Sequence, residues 1–326
     1  MKRVLTIVVL LIVVVVAGGA AYLKLGLPDV APAPQIKVDI TSERIAHGEY
    51  LANHVTVCMD CHSTRDWSRF AAPLVPGTLG KGGELFNQQM GFPGTFYSKN
   101  ITPEHLASWT DGEIYRTITT GVDKNGDALF PVMPFPYFAN LDKEDVYDII
   151  AYIRSLPAIK NETPVHEVDF PMNFILNTIP KNVPAGKKPQ RSESAEYGAY
   201  LVSIAACMEC HTQAKKGQII PELAFAGGRE FVFPNGVTRS ANLTPDMATG
   251  IGSWTENQFL ARFKAYMDTT NLRILKPDEL NTPMPWAMYG GMDSSDLRAI
   301  YAYLRTLKPI KNQVPHFTVA NAVASK

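Results

Sequence analysis

The feature that most constrains how this 326-residue chain can fold is a short motif that occurs twice. Residues 58–62 read Cys-Met-Asp-Cys-His, and residues 207–211 read Cys-Met-Glu-Cys-His. These two motifs contain all four cysteines of the chain, so no thiol remains for a disulfide elsewhere or for nucleophilic catalysis. The chain therefore carries two equivalent sites for one kind of cysteine chemistry.

The spacing within each motif predicts covalent attachment of haem. Two cysteines three positions apart lie on one face of a helical turn, and the histidine that follows projects from that face. Two thioether bonds can then hold the macrocycle while the imidazole reaches the iron. The predicted attachment residues are Cys58, Cys61, His62, Cys207, Cys210 and His211. Two covalently bound haem c groups are therefore expected.

The other uses of paired cysteines fit the sequence less well. A zinc ribbon places its cysteine pairs about 15–20 residues apart, whereas these pairs are 149 residues apart and each has its own histidine. A thioredoxin-like dithiol belongs to a βαβ context, for which the sequence gives no signal. Haem attachment is the interpretation that accounts for both motifs.

The sequence around each motif is repeated as well, which predicts two copies of one module. The matched pairs include Gly48 with Gly198, Gly82-Gly83 with Gly227-Gly228, Trp109 with Trp254, Met133-Pro134 with Met284-Pro285, and Asn161 with Asn312. We therefore predict a first module at residues 37–170 and a second at 191–318. A linker at 171–190 joins them, and a tail at 319–326 follows.

The pattern of apolar residues within each module favours helices. One helix is predicted from Ser42 to Val57, its equivalent begins near Ser192, and others follow each Met-Pro pair. One acidic pair lies at the start of the last helix of each module and resembles a capping box. The pairs are Asp142 with Asp145, and Asp293 with Asp296. Because strong strand alternation is absent, the predicted class is all-α with long loops.

The N-terminal segment is long and apolar. Val4–Leu23 has 20 residues, and a helix of that length spans about 30 Å, the thickness of a bilayer core. We expect a transmembrane anchor at residues 1–24 and an extended stalk at 25–36, although the small residues 18–20 also allow signal cleavage. Lys2 and Arg3 favour the cytoplasmic side. The modules would then lie on the periplasmic side of a bacterial inner membrane, held by a single span.

The distal face of each haem iron needs a second ligand. Methionine sulfur is common in that position and raises the reduction potential. Outside the two cysteine motifs, only Met133 and Met284 coincide under the repeat. Each precedes a proline, which stiffens the loop that would present the side chain. Met133 and Met284 are therefore the predicted distal ligands.

Other repeated residues have less specific interpretations. Asn100 with Thr102, and Asn242 with Thr244, are expected either to shape a loop or to bind haem propionates. Trp109 and Trp254 are expected in the module cores. The remaining histidines are expected to be surface or structural groups: His47, His54, His105, His166 and His316.

Charge is balanced over the whole chain and uneven between the modules. The net charge is zero, so no general attraction to nucleic acid is implied. Residues 37–169 carry 11 basic and 18 acidic residues, whereas residues 181–326 carry 17 basic and 12 acidic. This difference is either drift in surface composition or a sign that the modules face different partners.

The repeated motifs resemble those of a known family. The runs Asn-Ile-Thr-Pro at 100–103, Ser-Trp-Thr at 108–110 and Met-Pro at 133–134 resemble the multihaem cytochrome c subunits of membrane-bound alcohol and gluconate dehydrogenases. The second module matches more fully, with Thr-Gly-Ile-Gly before Ser-Trp-Thr at 249–255. Those subunits typically carry three haems, and this chain has two attachment motifs. The resemblance covers most of residues 42–312.

The resemblance implies two tandem cytochrome c domains in which His62 with Met133, and His211 with Met284, are the axial pairs. The expected function is electron relay without substrate chemistry. The donor would be a membrane or periplasmic dehydrogenase or another quinone-linked protein, and the acceptor a terminal oxidase or soluble carrier. The alternative is a periplasmic dihaem peroxidase, which needs one iron with an open sixth position.

Overall fold

The computed structural model describes residues 1–215, 217–276 and 278–320. The helices of the N-terminal segment, the first module and the linker are α1 Lys2–Ala21, α2 Ser42–Tyr50, α3 Cys58–Cys61, α4 Pro103–Leu106, α5 Asp111–Thr120, α6 Phe135–Phe138, α7 Lys143–Ser155 and α8 Met172–Ile175. The helices of the second module are α9 Ser194–Ile204, α10 Cys207–His211, α11 Glu256–Lys264, α12 Trp286–Gly290 and α13 Ser294–Thr306. Residues 321–326 of the predicted tail lie outside the described residues.

The all-α prediction is wrong, because three small antiparallel sheets accompany the helices. The strands are β1 Leu85–Phe86, β2 Gly94–Tyr97, β3 Glu167–Val168, β4 Ala214–Lys215, β5 Gln218–Ile219, β6 Glu230–Phe233, β7 Gly236–Arg239 and β8 Phe317–Val319. Strands of two to four residues are too short to show clear alternation. Pro234 and Asn235 form the two-residue turn between β6 and β7, and Gly236 is the first residue of β7.

The sheets repeat the modular organisation. In the first module β2 pairs with β1 and with β3, and in the second β7 pairs with β6 and with β8. The third strand of each sheet follows the last long helix of its module, so it returns to the hairpin from far along the chain. This return closes each module on itself.

Each module is built on a crossing of its first and last long helices. Helix α2 packs on α7, and α9 packs on α13. The close approach depends on Gly48 and Gly198, since a Cβ on Gly48 would lie 1.8 Å from the carbonyl oxygen of Asp148. A Cβ on Gly198 would lie 1.9 Å from the carbonyl oxygen of Ala299. The repeated glycines therefore allow the backbones to touch.

The predicted helices are present, with differences at their ends. Helix α2 begins at Ser42 as expected and continues as a π-helix over Leu51–Val55, so the helical segment ends before Val57. Its equivalent in the second module, α9, begins at Ser194, close to the predicted start near Ser192. Short helices α6 and α12 follow the Met-Pro pairs.

The capping-box interpretation is wrong. Asp142 does cap α7 by accepting from the Glu144 amide, but Asp145 turns away from its own helix end. Its carboxylate accepts a hydrogen bond from Tyr200 of the second module at 2.5 Å and pairs with Lys188. In the second module Asp296 is used in the same way, and among the described residues Asp293 makes no side-chain cap. These buried acids hold the modules together.

The two modules share one hydrophobic core. A single cluster of buried side chains includes Leu51 and Ile150 of the first module and Leu201 and Leu297 of the second. Helix α6 packs on α9, and α12 packs on the π-helix that follows α2. The modules therefore meet through related elements, and their relative position is set by a buried interface.

The N-terminal helix stands apart from this core. Within the helical segment Lys2–Gly26, an 18-residue window has a mean hydropathy of 3.0, and no residue of that window is buried. It is long and apolar enough to cross a membrane, a test that a signal sequence also passes. The residues after it form an extended strap: the carbonyl of Pro34 lies against Gly112 of α5, and the Ala31 amide donates to Asn182.

Candidate functional site

The two cysteine motifs adopt the same local structure. Each forms one helical turn, α3 or α10, and the residue before each turn has a left-handed backbone, with φ of 47° at Val57 and 52° at Ala206. A β-branched residue in that region is rare. The left-handed residue stands at the same position in both motifs, where it separates the cysteine-bearing turn from the preceding helix.

The histidine of each motif is held in one tautomer. Nδ1 of His62 lies 2.6 Å from the backbone carbonyl of Lys99, and Nδ1 of His211 lies 2.8 Å from that of Ala241. A carbonyl can only accept, so Nδ1 carries the proton and Nε2 keeps its lone pair. Burial lowers the pKa of both rings, which keeps them neutral. Each imidazole is thus prepared to bind a metal through Nε2.

A glycine pair places the carbonyl that each histidine needs. The Gly82 amide donates to the carbonyl of His62, and the Gly227 amide donates to that of His211, both at 2.8 Å. Gly82 has φ of +69°, and a Cβ there would lie 2.4 Å from the carbonyl carbon of Lys99. Gly227 repeats this relationship with Ala241 at 2.5 Å. Only glycine fits where these two segments cross beside the histidine.

The repeated asparagines shape a loop, which is one of the two expected roles. Asn100 is 1% exposed; its amide donates to the carbonyl of Ile159, and its oxygen accepts from Thr102. Asn242 makes the same bonds with Ile310 and Thr244. These polar atoms are satisfied by protein groups, so they fasten the histidine-supporting loop to the segment after the last helix.

Arginines lie beside both motifs. Arg65 pairs with Asp60 of the first motif at 2.9 Å, and Arg229 pairs with Glu209 of the second at 3.3 Å. Among the described residues, Nε and Nη2 of Arg65 and Nη1 of Arg229 are buried without a partner. These unpaired donors can hold an anionic group such as a carboxylate, and sequence reasoning did not single them out.

Met133 and Met284 occupy matched positions at the edge of the core. Each is followed by a proline, and that proline is the N-cap residue of α6 or α12. Both side chains are half-buried and pack on the shared core, as do Cys58 and Cys207 of the attachment turns. The structure therefore brings a methionine loop and an attachment turn to the same core in each module.

The methionine loop of the second module is also held by the first module. The side-chain oxygen of Asn281 accepts from the Ala71 amide at 3.0 Å, and its nitrogen donates to the Trp67 carbonyl at 3.2 Å. The same oxygen accepts from the Thr282 amide, and the Thr282 hydroxyl accepts from the amide of Met284. Asn281 is 5% exposed. The position of Met284 thus depends on a loop of the other module.

The two attachment turns lie near each other across the interface. Tyr289 is 6% exposed and donates to the Ala205 carbonyl. Its pKa is raised by burial first, and then by the nearby Cys207 and Cys210 of its own module and Asp60 and Cys61 of the other. One buried aromatic ring therefore lies close to both motifs.

A second tyrosine links the modules on the other side. The Tyr137 hydroxyl of α6 donates to the Glu209 carboxylate inside the second motif at 3.1 Å. Sequence reasoning missed Tyr137, Tyr289 and Asn281, because the contacts that link them to distant segments join residues 72 or more positions apart. The repeated Met-Pro pairs at 133–134 and 284–285 lie within five residues of these three side chains, and they were the signal that could have drawn attention to them.

The remaining expectations are mixed. Trp109 packs against the core, whereas Trp254 is 36% exposed, so the core assignment is wrong for Trp254. His54 is structural and makes a 2.7 Å hydrogen bond with the Met288 carbonyl of the second module. His166 is half-buried and accepts from the Tyr97 amide at 3.3 Å.

Comparison with known proteins supports the cytochrome interpretation. Residues 195–308 match the family model described as Cytochrome c. This match covers most of the second module, including the attachment turn and the methionine loop. A cytochrome c domain holds haem covalently, so haem c is the cofactor that the comparison supports.

The relatives share this character. The chain is 25% identical over 315 residues to the cytochrome c subunit of a quinone alcohol dehydrogenase from Gluconobacter oxydans, covering 88% of this chain and 59% of the relative. It is 27% identical over 296 residues to a fructose dehydrogenase cytochrome subunit from Gluconobacter japonicus, covering 85% of this chain and 55% of the relative. A diheme cytochrome c-type protein from Cereibacter sphaeroides is 25% identical over 265 residues, covering 78% of this chain and 83% of the relative.

The predicted resemblance to cytochrome c subunits of membrane-bound dehydrogenases is therefore confirmed. The chain spans about three-fifths of the length of the dehydrogenase subunits it matches. The relatives support electron transfer as the class of function and give no support to the peroxidase alternative.

Proposed function

We propose that this chain is a membrane-anchored electron carrier with two covalent haem c groups. One would be attached at Cys58 and Cys61 and the other at Cys207 and Cys210. The axial pairs would be His62 with Met133 and His211 with Met284. The relatives named as dehydrogenase subunits favour a dehydrogenase or quinone-linked donor, and a terminal oxidase or soluble carrier would accept the electrons.

The observation that carries this proposal is the matched support of the two histidines. Both have Nδ1 bonded to a backbone carbonyl, both carbonyls are placed by a glycine crossing, and both keep Nε2 free. Such a second partner is typical of metal-binding histidines, because it orients the ring and raises its basicity. The haem iron, when bound, supplies a reversible one-electron couple.

The chain's own residues would govern how that couple behaves. The methionine sulfurs would stabilise ferrous iron and so raise the potential. The buried donors of Arg65 and Arg229 could hold the carboxylates of the cofactor. Tyr289 is buried in the shared core, and its hydroxyl is close enough to both cysteine motifs to feel their charges. This arrangement suits electron transfer between the modules.

The N-terminal helix would keep the carrier at the membrane. The 20 residues from Val4 to Leu23 are apolar apart from Thr6 and the Tyr22 hydroxyl, and they are enough to span the hydrocarbon core. Lys2 and Arg3 favour retention of the N-terminus in the cytoplasm, which places the modules in the periplasm. The intact mass of the mature protein tests this step, since cleavage near Ala20 would remove the anchor.

The haem assignment is tested by substitution of each methionine. Met133→His should lower the potential of one haem and leave the other nearly unchanged, and Met284→His should affect the other haem. The oxidised wild type should show two sulfur-to-iron charge-transfer contributions, and each variant should lose one. Met247→His, at a 68% exposed position without a counterpart in the repeat, is the control. Unchanged potentials in either methionine variant would refute that ligand.

A further inference from the structure

The end of the first module and the start of the linker carry exposed apolar side chains that nothing in the described chain covers. Phe170 is 80% exposed and Ile175 is 44% exposed. Phe174, between them, packs edge-on against Phe170 with ring centroids 6.3 Å apart. We call Phe170, Phe174 and Ile175 the aromatic foot. Exposed aromatic groups of this size are costly in water and suit an apolar or interfacial environment.

The foot lies beside the end of the N-terminal apolar helix. The Asn177 amide donates to the carbonyls of Leu23 and Leu27 at 2.9 and 3.3 Å. The ammonium of Lys24 lies 5.2 Å from the centroid of the Phe174 ring. The linker therefore satisfies carbonyls that the end of a helix leaves without partners. These contacts join segments about 150 residues apart, so the placement is a tertiary feature of the fold.

The position of the foot along the helix has a physical meaning. A helix from Val4 reaches about 30 Å by Leu23, which is the far edge of a hydrocarbon core. Tyr22 and Leu25 near this edge are 63% and 87% exposed. Aromatic rings gather at the level of the lipid headgroups, and lysines extend toward water from the same level. Tyr22, Lys24 and the foot form such a set.

We propose that the aromatic foot inserts into the headgroup region of the periplasmic leaflet, as a second membrane contact beside the anchor. This inference rests on the anchor assigned under the proposed function. The occupant we assign to this surface is phospholipid, because the foot is continuous with the only long apolar helix among the described residues. Two contacts would fix the tilt of the haem modules over the membrane, which a single contact would leave free.

The chain offers a clean way to measure this. All four native cysteines would be consumed by haem attachment, so Phe170→Cys introduces a single thiol for a nitroxide spin label. The mature full-length protein is placed in its oxidised form in vesicles of phosphatidylethanolamine and phosphatidylglycerol. Collision of the label with oxygen and with a water-soluble nickel chelate then reports its depth. Met247→Cys, which is 68% exposed in the second module, provides the aqueous reference.

We expect the label at position 170 to be shielded from the nickel chelate and accessible to oxygen, and the label at 247 to show the reverse. If the intact mass shows the anchor and label 170 behaves like label 247, the foot is refuted and the anchor stands. Such a result would leave a protein partner as the occupant of this surface. If the mature chain lacks the helix and does not bind vesicles, both the anchor and the foot are refuted.

Discussion

The Tyr50 hydroxyl of the first module donates a 2.7 Å hydrogen bond to the Asp296 carboxylate of the second. The reciprocal bond runs from Tyr200 to Asp145 at 2.5 Å. Each hydroxyl also accepts from the backbone amide three residues before its aspartate, at Asp293 or Asp142. Both aspartates are almost fully buried. The interface thus contains one polar contact made twice, as expected where two copies of a module pair about an approximate twofold axis.

The reciprocal bonds predict unequal costs for two matching substitutions. Tyr50→Phe leaves Asp296 with the Ser295 hydroxyl at 3.4 Å, Tyr197 at 3.5 Å and Arg191 at 3.6 Å, whereas Tyr200→Phe leaves Asp145 with its close Lys188 partner. A hydrogen bond to a buried charge contributes about 1.5–3 kcal/mol. We expect Tyr50→Phe to lower the free energy of unfolding by about 2–3 kcal/mol and Tyr200→Phe by less, in denaturant titrations of the holoprotein.

Tyr301→Phe is the control for these substitutions, since its hydroxyl bonds an exposed carbonyl of Trp254. It should change the free energy of unfolding by less than about 0.5 kcal/mol. Equal effects from all three variants would mean that the buried carboxylates do not depend on these donors.

A second prediction concerns the close crossing of helices in each module. Gly48→Ala should lower the free energy of unfolding by about 3 kcal/mol, because the added methyl group would meet the Asp148 carbonyl. Gly198→Ala should behave similarly. Ala46→Gly, at an exposed position of α2, measures the helix-propensity term alone and should cost about 1 kcal/mol. A stabilised Gly48→Ala variant would show that α2 and α7 are farther apart than described.

A third prediction separates the two methionine loops. Asn281→Ala removes the link from the Ala71 amide and Trp67 carbonyl to the Met284 loop. We expect a lower potential and a weaker sulfur-to-iron band for the second haem, with the first haem unchanged. Asn281→Asp keeps the accepting oxygen and should restore part of both signals. A purely structural role would instead lower stability and leave the potentials in place.

The fourth prediction is a pH dependence of stability. Burial, and then the charge of Lys99, lower the pKa of His166 to about 4, whereas an unfolded histidine titrates near 6.5. The unfolded state therefore binds more protons between these values, so stability falls as the pH drops through this window. His166→Gln keeps an acceptor for the Tyr97 amide and removes the titration.

Between pH 7 and pH 4.5 we expect the free energy of unfolding to fall by about 1–2 kcal/mol less in this variant than in the wild type. This figure is smaller than the full pKa shift would give, because the half-buried ring is partly screened by solvent. Urea titrations at the two pH values measure the difference. Parallel curves for the two proteins would assign the acid sensitivity to other groups.

Much of the site could be read from local spacing. The two cysteines and the histidine of each motif lie within five residues on one helical turn, so a short stretch of sequence defines the predicted chemistry. The repeat then singled out Met133 and Met284 as the predicted ligands among many methionines, and it matched Gly48 with Gly198 without indicating that each lies at a helix crossing. Local geometry is short-range and leaves a direct trace in the order of residues.

The strands and the polar contacts of the interface left no such trace. Strands β3 and β8 pair with hairpins that lie about 70 and 80 residues earlier, respectively. The acids at 145 and 296 looked like caps because their real partners lie in the other module.

By itself, the sequence determined two Cys-x-x-Cys-His turns, the repeat around them and an apolar N-terminal helix, since each depends on residues close together along the chain. Only the tertiary structure decided that the modules share one core, that the first module holds the Met284 loop of the second, and that the linker lies at the end of the apolar helix. These features depend on packing and hydrogen bonds between segments far apart in the chain. Which partner each buried donor or acid finds is settled only when the whole chain folds around them.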